Sequence, residues 1–214
     1  IMITLTVNAV PSAPAITFNP SIYCVGQAII PPVVTVPVGG STYSWYSDVS
    51  LSTLIATGTA PTNAQLGFGS AAPNSTTVFV TEMNSSLCTG LATAVTLTVN
   101  PIPSAPATTF NPSTYCVGAS IAPPVITTPN VGSVYTWYSD AGLTTVLTTG
   151  SNPTNVQLGF SSAVANTKTI FVTETNNTNC QGLATPVTLT VNAVPVTPGI
   201  TFTPNVYCVG GVII

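Results

Sequence analysis

The feature that most constrains this chain is a direct repeat of 92 residues. Leu5-Thr6-Val7-Asn8 returns as Leu97-Thr98-Val99-Asn100 and again as Leu189-Thr190-Val191-Asn192. Tyr23-Cys24-Val25-Gly26 returns at Tyr115-Cys116-Val117-Gly118 and at Tyr207-Cys208-Val209-Gly210, Trp45 returns as Trp137, and Cys88 as Cys180. Without any gap, 58 of the 92 residues in 9–100 are identical in 101–192. That period is longer than a solenoid unit of about 20–50 residues and suits one small domain. The sequence therefore divides into 1–8, the last strand of a preceding repeat; 9–100 and 101–192, two whole domains; and 193–214, the start of a following repeat. Met2 aligns with Ala94 inside a repeat, so the chain is expected to be a piece of a longer array.

Within a repeat every stretch reads as strand or turn. Residues 15–18 and 21–25 are short extended pieces around Asn19-Pro20, and 33–36 follows the Pro31-Pro32 pair. Residues 42–47 alternate with aromatics and read as a central strand, while 54–56 and 65–68 are shorter ones. The clearest strands are 77–82 and 92–99, rich in β-branched residues at period two. Twenty prolines and sixteen glycines oppose helix, since both disrupt helix interiors, and no segment has helical periodicity. About seven short strands per domain, with turn signals every 8–12 residues or so, predict an immunoglobulin-like β-sandwich. The fold class is all-β: tandem sandwiches in a rod-like array, joined by a linker at 99–106 whose prolines favour stiff polyproline II.

Charge is almost absent. Asp48, Glu82, Asp140, Glu174 and Lys168 are the only charged residues among 214, or 2% where about 25% is usual in soluble domains. One lysine cannot neutralise a phosphate backbone, so nucleic acid is not a partner. With no histidine and no arginine, mechanisms that need a histidine base, a histidine metal ligand or an arginine clamp are excluded. A spanning helix needs about 20 apolar residues in a row. The apolar run at 28–30 meets Pro31-Pro32 at once, so no membrane span is expected in this segment.

Each whole repeat holds two cysteines. Two thiols without histidine or clustered carboxylates do not complete a zinc shell. An intra-domain disulfide, Cys24 with Cys88 and Cys116 with Cys180, is favoured over buried free thiols and over a metal site, and implies an oxidising, extracellular location. Cys208 would find its partner beyond the sequence. The acids form two repeat-matched pairs, Asp48 with Glu82 and Asp140 with Glu174. A glycosidase uses two carboxylates, but the same pair recurs in each small domain without supporting residues. The four acids are instead calcium candidates, set against a structural alternative in which Asp48 opens an Asx-turn and Glu82 sits near a strand end. Along 42–47, Tyr43 and Trp45 share one face and Tyr46 takes the other. Trp45 is expected in the core against the disulfide, leaving Tyr46 and Tyr138 as candidate glycan contacts. No serine or threonine has a base to activate it, so the chain is read as no enzyme, with no cofactor. Lys168 aligns with Thr76, so a Lys–Asn isopeptide bond is not available to both repeats. Asn74, Asn84 and Asn176 head glycosylation sequons.

The order Tyr-Cys-Val-Gly, Tyr-x-Trp-Tyr-Ser-Asp, Val-Phe-Val-Thr-Glu, Cys-x-Gly, Val-Thr-Leu-Thr-Val-Asn resembles the tandem Ig-like repeats of very large Bacteroidetes surface proteins. Those are exported by type IX secretion and include SprB-like adhesins of gliding motility. The resemblance covers both whole repeats and the flanking segments. It implies a disulfide at Cys24/Cys88 and at Cys116/Cys180, and a place in a stalk whose adhesive regions lie elsewhere. The expected function is thus a structural stalk of a filamentous bacterial cell-surface adhesin, its partners being neighbouring repeats of the same chain. The alternatives are a repeated glycan- or calcium-binding module, or a self-assembling extracellular fibre or sheath whose low charge lets copies pack laterally.

Overall fold

A computed structural model describes residues 3–201, 206 and 208–211. The outermost parts of the two expected flanking segments, with Tyr207 of the third Tyr-Cys-Val-Gly, lie outside the described residues. The chain forms two compact units. One holds the first repeat up to Ala105 together with Asn130–Val134 and Thr173–Leu183; the other holds Pro106–Pro129, Tyr135–Val172 and the described residues from Ala184 onward.

The first repeat contains β1 (Ile16–Thr17), β2 (Ile22–Cys24), β3 (Val33–Val34), β4 (Thr42–Tyr46), β5 (Leu54–Thr57), β6 (Asn74–Met83) and β7 (Thr93–Asn100). The large sheet has the order β2-β7-β6-β4-β5, and β1 with β3 forms a second, two-stranded sheet. All neighbours are antiparallel except β2 and β7, which run parallel. Strand β6 places Val78 and Val80 in the core, and β7 places Val95, Leu97 and Val99 there, each at period two. The intervening threonines face outward, where the hydroxyls of Thr77 and Thr96 meet at 2.8 Å across the ladder. Val34 of β3 and Ile16 of β1 pack into this same core, so the small sheet covers the inner face of the large one. Each fully buried aliphatic side chain here stabilises the fold by roughly 1.5–3 kcal/mol. Trp45 is wholly buried at the centre, and its ring N–H donates to the Gly58 carbonyl at 2.9 Å, which removes the cost of an unpaired buried donor.

The second repeat contains β8 (Thr108–Thr109), β9 (Thr114–Cys116), β10 (Val125–Ile126), β11 (Val134–Tyr138), β12 (Val146–Thr149), β13 (Asn166–Thr175) and β14 (Thr185–Asn192). Its sheets, β12-β11-β13-β14-β9 and β10-β8, repeat the same order. Trp137 is again fully buried, with its ring N–H on the Gly150 carbonyl at 2.9 Å. Both repeats are all-β, immunoglobulin-like sandwiches. Among the described residues no helix is long and apolar enough to cross a membrane.

One local expectation fails. Residues 65–68 were expected to be a strand, but Asn63–Leu66 is a single helical turn, α1, and Asn155–Leu158 is its copy, α2. The Thr62 hydroxyl accepts from the Gln65 amide at 3.3 Å while the Gln65 side chain accepts from the Thr62 amide at 2.8 Å. This capping box starts the turn, and Gly67, at φ 69°, ends it in the left-handed conformation that glycine adopts without strain. The turn buries Leu66, and Phe68 then stacks on Phe18 at 5.5 Å. The segment 1–8 is the expected last strand of a preceding repeat. Its described residues, 3–8, belong to no strand, and Ile3, Leu5 and Val7 are exposed. Among the described residues no strand pairs with them.

Candidate functional site: a hairpin clamp and its cysteines

The β6–β7 hairpin grips the proline-rich segment that leads into its own repeat. The Asn84 carboxamide nitrogen donates to the Ala9 carbonyl at 2.9 Å, while its oxygen accepts the backbone N–H groups of Ser86 and Cys88, both at 3.0 Å. The Gly90 amide donates to the Glu82 carbonyl at 2.9 Å, and its Cα lies so close to Pro11 that a Cβ would overlap the Pro11 carbonyl. The Thr93 hydroxyl donates to the Pro14 carbonyl at 2.6 Å. Proline has a carbonyl but no N–H, so at its prolines this segment can only accept, and the hairpin supplies donors. The second repeat does the same. Asn176 donates to the Pro101 carbonyl at 3.1 Å and accepts from the Thr178 and Cys180 amides; Gly182 abuts Pro103; Thr185 donates to the Pro106 carbonyl at 2.6 Å. The linker, expected to owe its stiffness to proline alone, is held along 101–106 by side-chain donors.

The cysteines do not pair as expected. Cys24 is bonded to Cys180, with Cα atoms 5.6 Å apart, and Cys88, Cys116 and Cys208 are free thiols. This overturns both intra-domain pairs, Cys24/Cys88 and Cys116/Cys180, for a geometric reason. Strand β2 runs parallel to β7, so Cys24 stands opposite Asn100 at the far end of that strand. Cys88 lies in the hairpin before Thr93, at the near end. The eight residues of β7 span about 23 Å at roughly 3.3 Å per residue, and a disulfide needs Cα atoms within about 4.4–6.8 Å. Cys116 and Cys180 are separated in the same way, since Cys116 stands opposite Asn192. Nor does Trp45 pack against a disulfide. Tyr23 takes the inward position on β2, so its neighbour Cys24 faces away from the core. Cys180 is buried, Cys88 is half-buried, and the Cys88 Sγ lies 3.9 Å from the Asn8 carbonyl oxygen.

The acids do not converge on a cation. Asp48 organises the turn after β4. Its carboxylate accepts from the Ser50 hydroxyl and from the amides of Ser52 at 3.0 Å and Thr53 at 2.8 Å. These bonds, the Ser50 hydroxyl first, hold the carboxyl well below the usual carboxylate range. The amides of Thr145 and Thr144 lower Asp140 in the same sense. Glu82 is buried opposite Tyr43, at the other end of β4 from Asp48, and accepts from the Ser41 hydroxyl at 2.7 Å. Glu174 accepts from Ser133 at 2.6 Å and Asn130 at 2.8 Å. Among the described residues no three metal-ligating side chains cluster. Of the candidate glycan contacts, Tyr46 is half-buried and Tyr138 is buried. The Lys168 ammonium donates to the Gly159 carbonyl at 2.9 Å.

The clamp residues Asn84, Gly90 and Thr93 went unrecognised in the sequence, Asn84 being read as a sequon. A signal was present. From 84 to 93 the two repeats differ at Ser85, Ser86, Leu87 and Thr89, yet match at Asn84, Cys88, Gly90, Leu91, Ala92 and Thr93, a set that includes every residue that touches the proline segment or carries the thiol.

Two sandwiches in tandem, each gripping its own leading segment, define an array of immunoglobulin-like domains. The sequence profile described as Ig-like domain CHU_C associated matches residues 11–101 and 103–193, and the chain belongs to that family. No curated protein matches the chain in sequence. Among solved structures it is similar to the fibronectin(III)-like modules of CbhA from Clostridium thermocellum, at 14% identity over 87% of this chain and 99% of that one, with a TM-score of 0.40. It is also similar to a 1.5-MDa bacterial ice-binding adhesin studied for host cell surface retention, at 15% identity over 85% of this chain and 66% of that one, TM-score 0.33. A third likeness is to extracellular domains 3–5 of Drosophila OTK, at 14% identity over 89% and 72% of the two chains, TM-score 0.24.

Proposed function

We propose that the chain is a run of stalk repeats from a filamentous adhesin on a bacterial cell surface, with repeat units at 9–100 and 101–192 that hold a distal binding region away from the cell. The observation that carries this reading is the bond between Cys24 and Cys180, 156 residues apart in sequence. Tension applied at the two ends of the chain crosses from Cys24 to Cys180 through sulfur, so the residues between them lie off its path. The hairpin clamps add resistance where each proline segment enters its repeat. A disulfide also fits an oxidising compartment, and membership of the CHU_C-associated family supports an extracellular place. Export by the type IX route goes with the Bacteroidetes resemblance. The role is mechanical and non-catalytic, and its partners are neighbouring repeats.

The test is removal of one 92-residue repeat from the full-length protein, read by electron microscopy of the fibres and by adhesion. Strand β6 has ten residues and spans roughly 33 Å, so the fibre is expected to shorten by about that length while adhesion persists. Loss of adhesion with unchanged fibre length overturns the reading.

A further inference from the structure

Cys24 is a β2 cysteine and Cys180 a hairpin cysteine, and they belong to successive sequence repeats. Cys116 is a second copy of the first kind, and Cys88 an earlier copy of the second. The surroundings of Cys88 already match those of a bonded hairpin cysteine. Asn84 holds the Cys88 amide at 3.0 Å as Asn176 holds the Cys180 amide at 2.9 Å. The Cys88 Sγ is 3.9 Å from the Asn8 carbonyl oxygen. Asn8 is the copy of Asn100, the residue that stands opposite Cys24 in the β2–β7 ladder. A strand paired with residues 6–8 as β2 is paired with β7 therefore brings its own cysteine to the Cys88 thiol. Cys116, exposed and opposite Asn192, presents the other half of the same arrangement.

We infer that Cys88 and Cys116 are disulfide partners for neighbouring repeats of the same chain, Cys88 for the β2 cysteine of the repeat before it and Cys116 for the hairpin cysteine of the repeat after 101–192. The array is then a covalent ladder in which every repeat is bonded to both neighbours. The inference rests on the stalk reading for the existence of those repeats. Each rung forms as two S–H bonds break and one S–S bond forms. The two protons and two electrons pass to a disulfide-bearing thiol oxidoreductase, which leaves as the dithiol.

The ladder has a mechanical consequence. Twenty-eight residues separate Cys88 from Cys116, and again Cys180 from Cys208. A tension path that reaches a hairpin cysteine runs 28 residues to the next β2 cysteine and crosses a rung, which carries it forward by two repeats. Two repeats can then extend by at most roughly 95 Å, against roughly 630 Å for the same 184 residues unbonded, at about 3.4 Å per residue.

The experiment replaces residues 1–8 with one further copy of 9–100, oxidises the protein, alkylates it under denaturing, non-reducing conditions and maps the peptides by mass spectrometry. In the 214-residue chain Cys24–Cys180 is expected to be the one disulfide, with Cys88 and Cys116 alkylated. In the extended chain Cys88 is expected to be cross-linked to the cysteine of the added Tyr-Cys-Val-Gly and protected as fully as Cys24, and serine at that added cysteine restores its alkylation. The Cys24–Cys180 bond in the same molecule reports that the array has folded. Cys88 still alkylated beside an intact Cys24–Cys180 bond overturns the ladder. So does a Cys24–Cys88 cross-link, or Cys88 bonded to a second molecule as a covalent dimer. The stalk reading stands or falls separately, on fibre length after repeat removal.

Discussion

In β7, Leu97 and Val99 are 0% and 3% exposed; 92 residues earlier Leu5 and Val7, in the same Leu-Thr-Val-Asn sequence, are 86% and 85% exposed and belong to no strand. Their local β-propensity is identical, so propensity cannot be the cause. What differs is the company. The β7 backbone is paired to β6 on one side and β2 on the other, and among the described residues no strand pairs with residues 5–8. The hairpin cysteines repeat the lesson. Cys88 and Cys180 have the same asparagine cap and the same glycine two residues on, yet only Cys180 is bonded, because only Cys180 meets a β2 cysteine. A strand and a disulfide each need a partner in space, and identical residues without one do neither.

The sharpest way to break this comparison is at the cysteines. Cys180→Ser opens a closure of 156 residues, worth roughly 5 kcal/mol in the chain-entropy model, and should lower the denaturant midpoint strongly. Cys88→Ser should leave it unchanged, and equal effects would sink the distinction. Single-molecule pulling of the oxidised chain should show about 530 Å more extension after reductant is added, from 156 residues at about 3.4 Å each.

Next in size, Leu97→Ala should cost about 2–5 kcal/mol in chemical denaturation, while Leu5→Ala, the same change at an exposed copy, should stay within about 0.5 kcal/mol. At the clamp, Gly90→Ala and Gly182→Ala force a methyl against a backbone carbonyl that cannot swing away. Each should cost about 1–3 kcal/mol, and a neutral result would show that the proline segment is not gripped. Asn84→Ala and Asn176→Ala should lower the melting temperature by similar amounts, each losing about 1–2 kcal/mol of hydrogen bonding. Markedly different losses would mean that the two hairpins are not equivalent.

The smallest effect is on pH. The carboxyls of Asp48 and Asp140 lie below the ordinary value of 3.8 in the folded chain. Their hydrogen bonds therefore contribute stability above pH 3.8 that is lost as pH falls through the lower folded values. A melting series from pH 6 to pH 2 should drop at its acid end, and Asp48→Asn with Asp140→Asn should shrink that drop.

Much of the sandwich was legible because its signals are local. The alternation in 77–82 and 92–99 marked the inward valines and leucines, and Trp45 read as core. The turn α1 was missed because Gln65-Leu66-Gly67-Phe68 also alternates, although Thr62 three residues before Gln65 is a capping-box signal. The cysteine pairing was misread for a different reason. Two cysteines per repeat suggest a closed pair only if both lie at one end of the sandwich, and the parallel placement of β2 on β7 sets them at opposite ends. The acids Asp48 and Glu82 failed as a cation site on the same ground, lying at opposite ends of β4.

The sequence by itself determined the 92-residue period, the all-β class and the face that each strand turns inward, since these follow from side-chain alternation along a few bonded residues. Only the tertiary structure decided which carbonyls the hairpins hold, and that Cys24 meets Cys180. Those outcomes depend on distances of a few ångströms between residues far apart in the chain, which repeat spacing alone does not encode.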